Sequence, residues 1–167
     1  MEIRKEIMDD MEIIHKVNVL AFGGEAEARL VDDLRASGGL LLSMVACDGV
    51  EVVGHIAYSR GWIDCDDKRI ASVALAPMAV LPEAQSKGVG STLLSTSLYT
   101  LREMGEAHVF VLGHTWFYPR FGFVPAEYYH IHSVYNAGEH FMGQELVVDS
   151  LEGLSGEFFY DPAFEGV

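Results

Sequence analysis

The stretch from Ala71 to Leu101 constrains the fold of this chain more than any other part of its sequence. An apolar run ends at Leu81-Pro82, a turn containing two glycines covers Gln85 to Gly90, and a helical pattern begins at Ser91. This succession predicts a strand, a short loop and the start of a helix. Because the first N–H groups of a helix have no partner within it, such a junction favours anion binding.

The loop itself, QSKGVG, has the residue types that a phosphate site needs. Gly88 and Gly90 lack a Cβ, so the backbone can turn sharply and approach a phosphate oxygen, and Lys87 adds a positive charge. A Walker motif fits less well because Lys87 precedes Gly88, and a dinucleotide motif would need a third glycine where Leu93 stands. A turn whose glycines serve only its geometry is the structural alternative.

These residues resemble the signature of the GNAT family of acyl-CoA N-acyltransferases, Gln/Arg-x-x-Gly-x-Gly/Ala after a strand. A second landmark of that family, an aromatic residue followed by Gly-Phe, stands in FYPRFGF from Phe117 to Phe123. The resemblance covers roughly residues 1–125 and points to a bacterial subgroup of small, YhbS-like N-acetyltransferases. It implies a mixed, mostly antiparallel central sheet flanked by helices, in which the fourth and fifth strands splay apart.

Hydrophobic periodicity predicts the elements before the loop. Asp9 or Asp10 is expected to cap a helix that ends near Phe22, and a second helix is expected over Glu25–Ala36. A hairpin follows, with its turn at Asp48-Gly49, and its second strand is predicted over Val50–Tyr58.

The pattern after the loop predicts a helix over Ser91–Met104, a buried strand to Leu112 and a short helix over Thr115–Phe121. Beyond Pro125 the signal weakens, and the segment 126–167 is expected to complete the sheet of a single domain spanning residues 1–167. The strands predicted there are Tyr128–Val134, Glu145–Asp149 and Glu157–Tyr160.

Composition narrows the classes of partner. Lys and Arg number 11 against 25 Asp and Glu, a formal net charge of −14, which disfavours nucleic acid and anionic membranes and favours a cationic acceptor. An acidic surface that serves only solubility is the alternative. The charged first residues lack the apolar segment of a signal peptide, and Cys47 and Cys65 form no disulfide framework, so a cytoplasmic protein is expected. His130, His132 and His140 lack the spacing of a metal site, and no metal is expected.

The resemblance implies acetyl-CoA as the acyl-donor cosubstrate. The loop would surround its pyrophosphate, and the strand before the loop would lie beside the pantetheine and acetyl groups, although that strand could also be plain core. The cofactor-binding residues predicted in this way are Met78, Ala79, Val80, Gln85, Ser86, Lys87, Gly88, Val89, Gly90 and Ser91.

Catalysis by such a protein needs a proton donor for the leaving thiolate and a base for the amine. The resemblance assigns the first role to Tyr118, four residues before Gly122, although a packing aromatic is the alternative and Pro119 departs from the family pattern. Ala74 and Ala76 stand where some relatives carry a base. His114 is the nearest titratable candidate, with His55, Glu25 and a water relay as further possibilities.

The function implied is transfer of an acetyl group from acetyl-CoA to a primary amine, by direct attack within a ternary complex. A non-catalytic acyl-CoA-binding or sensing domain is the main alternative, and a nucleotide-binding module without acyl chemistry is the third. The acceptor, a small molecule or a peptide amine, is left open by the sequence, and a homodimer is expected only from the family.

Overall fold

Nine strands form one mixed sheet, and three α-helices pack on its faces. The computed structural model describes residues 1–167. The elements in chain order are β1 (Glu2–Lys5), α1 (Met11–Phe22), α2 (Ala26–Ser37), β2 (Leu40–Asp48), β3 (Glu51–Asp64), β4 (Arg69–Val80), α3 (Val89–Glu103), β5 (His108–Leu112), β6 (Val124–Pro125), β7 (Ile131–Ser133), β8 (Phe141–Glu145) and β9 (Gly156–Phe159). Short 3-10 turns include Tyr118–Phe121 and Pro162–Gly166.

The strands follow the order β1-β2-β3-β4-β5-β8-β6, and β9 pairs with both β3 and β7. Only the β4–β5 and β7–β9 pairs are parallel, so the sheet is mostly antiparallel, as expected. A strand, a crossover helix and a parallel strand make the β4-α3-β5 unit.

The fourth and fifth strands separate soon after they meet. Their pairing is limited to Ala74 with Phe110 and Leu75 with Val111. Along the other edge of β4, Leu75 pairs with Tyr58 and Met78 pairs with Ile56, so β4 carries an extra residue at this point. This bulge bends β4 away from β5, since bulges increase the local twist of a strand. The expected splay of these two strands is confirmed.

Helices α3 and α1 lie on opposite faces of the sheet. At Gly54 of β3 a Cβ would meet Val89 and Leu93 of α3, whereas the next residue, His55, hydrogen-bonds to Asn18 of α1. Successive side chains of a strand point to opposite faces, so α1, with α2 packed against it, covers the face that α3 does not. The main core fills the space beneath both layers.

The first half of the chain follows the sequence prediction closely. Both early helices and the hairpin form, and α2 ends at Gly38, whose φ of +81° is left-handed. Strand β3 is longer than predicted and reaches Asp64 because its second half pairs with both β4 and β9. Asp10 precedes α1 but makes no cap, because its carboxylate pairs with Arg4 and accepts the N–H of Ile7.

Helix α3 begins at Val89, two residues before the predicted start, because Gly88 already forms its N-cap with a φ of +84°. The short helix predicted over Thr115–Phe121 is reduced to the 3-10 turn Tyr118–Phe121, which ends at Gly122 with a φ of +97°. Pro119 in its first turn cannot donate an N–H to a longer helix.

The C-terminal segment is where the predicted strands differ most from the structure. The prediction of a strand over Glu145–Asp149 is wrong: β8 covers Phe141–Glu145, which pairs with β5, while Val147 and Val148 are exposed. Burial against β5 has overridden the β-propensity of the two valines. The strand predicted over Tyr128–Val134 is shortened to β7 because the 3-10 turn Ala126–Tyr129 occupies its start, and β9 matches its prediction within a residue.

Candidate active site

A cavity of about 960 Å³ opens where β4 and β5 diverge. Leu75 to Met78 of β4 line one side of the gap, and Val111 to His114 line the other. The wall also includes the start of α3, on one face of the sheet, and Phe22 and Glu27 from α1 and α2, on the opposite face. The wall of the cavity therefore reaches both faces of the sheet. We call its end at α3 and its end at α1 and α2 the two mouths of the cavity.

The loop before α3 presents a row of free backbone donors at the first of these mouths. The N–H groups from Ser86 to Ser91 make no hydrogen bond within the protein, and the first bond beyond them is donated by the Thr92 N–H to the Gly88 carbonyl at 3.0 Å. Ser86 and Gly88 both have left-handed backbones, with φ of +61° and +84°. Consecutive free donors at a helix N-terminus are able to bind an anion, and the sequence predicts an anion site at this loop.

Gln85 fixes the loop to the end of β4, because its Nε2 donates to the Val80 carbonyl at 3.0 Å. Gly90 lies in the first turn of α3 without a left-handed φ, and a Cβ there would approach only Met78 and Phe117, at 3.7–3.9 Å. The protein's own packing thus has room for a larger residue at position 90. The glycine leaves open space on the side that faces the cavity.

The other predicted cofactor residues divide between those that line the cavity and those that do not. Met78, Val80, Gln85, Ser86, Gly88, Val89, Gly90 and Ser91 line it. Ala79 is buried opposite His55, so its side chain faces away and only its backbone can reach the gap. Lys87 is exposed and is not part of the cavity wall, which leaves its predicted contact with a phosphate without direct support.

Tyr118 lies in the wall of the cavity and is 7% exposed. Its ring packs edge-on against Phe117 and Phe123, at 5.1 and 5.6 Å between centroids. Burial alone raises the pKa of its phenol to about 12, so the hydroxyl stays protonated at neutral pH. A protonated phenol without competing polar partners is able to donate its proton to a group bound in the cavity.

The structure shows which of the candidate bases line the cavity. His114 lines the cavity, is exposed and stacks on Trp116 at 5.4 Å. His55 does not reach the cavity: it is fully buried, with its ring nitrogens 2.8 Å from the Ser43 Oγ and 3.0 Å from the Asn18 Nδ2. Glu25 also lies outside, 2.9 Å from the Nε2 of His15. The structure therefore contradicts His55 and Glu25 as bases, since neither faces the gap.

Several wall residues were missed by the sequence analysis. Arg120 is the one Lys or Arg in the cavity wall, and its guanidinium lies 5.5 Å from the ring of Phe117 and 5.6 Å from that of Phe121. Its place inside FYPRFGF could have indicated it. Glu27 is the one acidic side chain in the wall, and no sequence signal distinguished it from Glu25 two residues earlier.

Two classes of site are not found in the structure. No group of three or more His, Cys, Asp or Glu side chains is arranged to hold a metal ion. No helix has the length and apolar character needed to cross a membrane.

Comparison with known proteins places this geometry in a family. Residues 41–125 match the model of the acetyltransferase (GNAT) domain. The chain is 34% identical to YhbS of Escherichia coli, an uncharacterised N-acetyltransferase, over 98% of both proteins. It is 42% identical to YjhQ of the same organism over 118 residues, which are 70% of this chain and 65% of YjhQ.

Solved structures extend the similarity to the whole fold. The crystal structure of YhbS in complex with CoA matches 98% of this chain and 91% of its own, with a TM-score of 0.91 and 34% identity. A GNAT acetyltransferase from Brucella melitensis in complex with acetyl-CoA matches 98% of this chain and 97% of its own, with a TM-score of 0.80 and 32% identity. With its splayed strands, its free loop donors and these relatives, the chain belongs to the GNAT family of acetyltransferases.

Proposed function

We propose that this protein transfers an acetyl group from acetyl-CoA to a primary amine. The observation that carries the proposal is the cavity itself, which joins a row of free N–H donors on one face of the sheet to an open mouth on the other. An anionic cofactor fits the donors, and its thioester would then lie in the gap. YhbS binds CoA and the Brucella melitensis enzyme binds acetyl-CoA in the same fold, which supports this cofactor.

The loop residues 86–91 would hold the pyrophosphate through their N–H groups, and Arg120 is the one Lys or Arg in the same wall. Between Ala76 and Val80 the edge of β4 that faces β5 is unpaired. Its backbone groups are free to bind the pantetheine amides, and an N–H there would polarise the thioester carbonyl. This step needs no side chain, which explains why Ala76 and Ala79 can stand at these positions.

The reaction would proceed by direct attack. The amine nitrogen bonds to the carbonyl carbon, the bond from that carbon to sulfur breaks, and the CoA thiolate takes the proton of the Tyr118 hydroxyl. The attacking nitrogen then loses its surplus proton, which returns to the Tyr118 oxygen through water, so that an amide and a free thiol leave and the hydroxyl is restored. The proton that the ammonium must first lose would pass to His114 or to water at the open mouth. Neither Cys47 nor Cys65 lines the cavity, so no thiol is placed to carry the acetyl group covalently.

A non-catalytic acyl-CoA-binding domain is the second candidate. It is favoured by the alanines of β4, since Ala74 and Ala76 provide no base beside the gap. In either case we propose that residues 1–167 act as one domain. The segment after residue 125 supplies β8, which pairs with β5, and adds Tyr135, Tyr160 and Phe164 to the cavity wall.

A thermal-shift titration with acetyl-CoA, ATP and NAD at equal concentration tests the cofactor. A ligand that binds only the folded state raises its stability, by about 2.7 kcal/mol at a hundredfold excess over Kd. A shift with acetyl-CoA alone, followed by amine-dependent release of free thiol, is expected for the enzyme. Binding without thiol release for any amine would favour the sensing domain, and a larger shift with ATP or NAD would reject both.

A further inference from the structure

The mouth on the α1 and α2 face of the sheet is lined mostly by apolar side chains. We call it the acceptor mouth, formed by Phe22, Glu27, Leu30, Tyr135, Tyr160 and Phe164. Five of these six side chains are aromatic or aliphatic. The protein has a net charge of −14, yet this part of the wall carries a single carboxylate among several rings. Such a wall can distinguish between ligands by their charge and their apolar surface.

Glu27 is the one charged group of this mouth, and it has no partner within the protein. It lies in the first turn of α2 and is half-buried, and no hydrogen bond or ion pair involves its carboxylate. Its neighbours in sequence are engaged: Glu25 contacts His15 at 2.9 Å, and Asp32 contacts His15 at 2.7 Å and Arg35 at 3.2 Å. A carboxylate left unpaired at the edge of an apolar cavity favours a cationic ligand.

The opposite side of the mouth is a continuous aromatic wall. The ring of Tyr160 lies 5.2 Å from that of Tyr135 and 4.9 Å from that of Phe164, measured between centroids. The turn that carries Phe164 packs against α2, which brings this wall to the same mouth as Glu27. Rings packed in this way offer a surface for a flat or apolar body, and an exposed ring face attracts a cation.

We propose that the acceptor is a small monocationic amine with an apolar body of about the size of one aromatic ring, and that Glu27 binds its ammonium group as the amine enters the cavity, before the nitrogen is deprotonated. The aromatic wall holds the body. The proposal rests on the acetyltransferase function proposed above. It excludes acceptors with a carboxylate beside the amine, which Glu27 would repel, and long polyamines, which lack the apolar body that the aromatic wall holds.

Titration calorimetry on the complex with CoA tests this proposal, because CoA carries no acetyl group and the amine binds without turnover. The probes are 2-phenylethylamine, putrescine, phenylalanine and a short lysine-containing peptide. We expect 2-phenylethylamine to bind at least about tenfold more tightly than each of the other three. Equal or tighter binding of any other probe, or no binding of 2-phenylethylamine, would overturn the proposal.

The matched variants are Glu27→Gln and Glu25→Gln, which remove one charge each, two residues apart. Loss of a charged hydrogen bond should weaken 2-phenylethylamine by about tenfold to a hundredfold in Glu27→Gln. Glu25→Gln lies outside the cavity and should bind as the wild type does. Unchanged affinity in Glu27→Gln would reject its role. Failure of CoA itself to bind would instead reject the acetyltransferase proposal, and this one with it.

Discussion

Gly113 lies directly against the ring of Tyr118. A Cβ at position 113 would contact Cε2 of that ring and lie 3.0 Å from its Cδ2. The ring cannot move aside freely, because Phe117 and Phe123 pack on it at 5.1 and 5.6 Å. Gly113, which directly follows β5, therefore helps to set where the Tyr118 hydroxyl points.

We expect Gly113→Ala to displace Tyr118 and to lower kcat for acetyl transfer by about tenfold or more, since small misplacements of a catalytic group are costly. Acetyl-CoA binding should change less than kcat, because the free donors belong to a different segment, residues 86–91. Steady-state kinetics and calorimetry measure the two effects. Gly24→Ala, where a Cβ meets nothing within 4 Å, is the control. Unchanged kcat in Gly113→Ala would show that the contact does not position Tyr118.

Tyr118→Phe removes the proposed proton donor and keeps the packing of the ring. We expect kcat to fall by about a hundredfold to ten-thousandfold, the range of general acid catalysis, while the Kd of acetyl-CoA stays the same. Tyr99→Phe, which alters an exposed tyrosine of α3, should leave both values unchanged. A Tyr118→Phe enzyme of normal kcat would assign the leaving-group proton to water.

We expect Gly90→Ala to stabilise the fold and to weaken the binding of acetyl-CoA. Because a Cβ at position 90 meets no protein atom closer than 3.7 Å and replaces a glycine within a helix, the free energy of unfolding should rise by up to about 1 kcal/mol. The same Cβ would obstruct a phosphate at the loop, so acetyl-CoA should bind about tenfold to a hundredfold more weakly. Urea unfolding and calorimetry test the two parts. A variant that binds acetyl-CoA normally would place the pyrophosphate elsewhere.

The sequence sufficed for the parts of this protein that depend on local patterns. QSKGVG predicted a turn that leads into a helix, because glycines before a helix have a local physical meaning, and the periodicity of α1, α2 and α3 followed from burial on one side. The short strands after residue 125 were less predictable. Strand β8 is defined by its pairing with β5, more than 25 residues earlier in the chain, and no local pattern carries that information.

In the candidate site, too, residues within a local motif could be predicted, and residues brought together by packing could not. Tyr118 and the loop residues could be named because motifs contain them, whereas Glu27 and Tyr160 reach one mouth only through the packing of α2 against the C-terminal turn. His55 and Glu25 were plausible bases by residue type. Their side chains are engaged by Asn18 and His15, which are distant in sequence.

The buried His55 predicts how stability depends on pH. Burial lowers its pKa to about 4, with Arg35 adding to the effect and Glu6 opposing it, against 6.5 in an unfolded chain. The unfolded state then binds more protons between these two pH values. The contribution of His55 to the free energy of unfolding is therefore fully present above pH 6.5 and is lost as the pH decreases toward 4. The shift corresponds to a loss of about 3 kcal/mol over that window.

His55→Gln should be less stable than the wild type at pH 7, by about 1–3 kcal/mol, because Ser43 and Asn18 lose a buried partner. The variant has no histidine to protonate at that position, so its stability should fall less between pH 6.5 and 4.5, and the difference from the wild type should narrow. Urea unfolding at intervals of pH measures both curves. In the control variant His132→Gln, at an exposed position of β7, the free energy of unfolding should depend on pH as it does in the wild type. If the curve of His55→Gln also ran parallel, the acid sensitivity of this fold would have to come from its carboxylates, such as the Asp10 that pairs with Arg4.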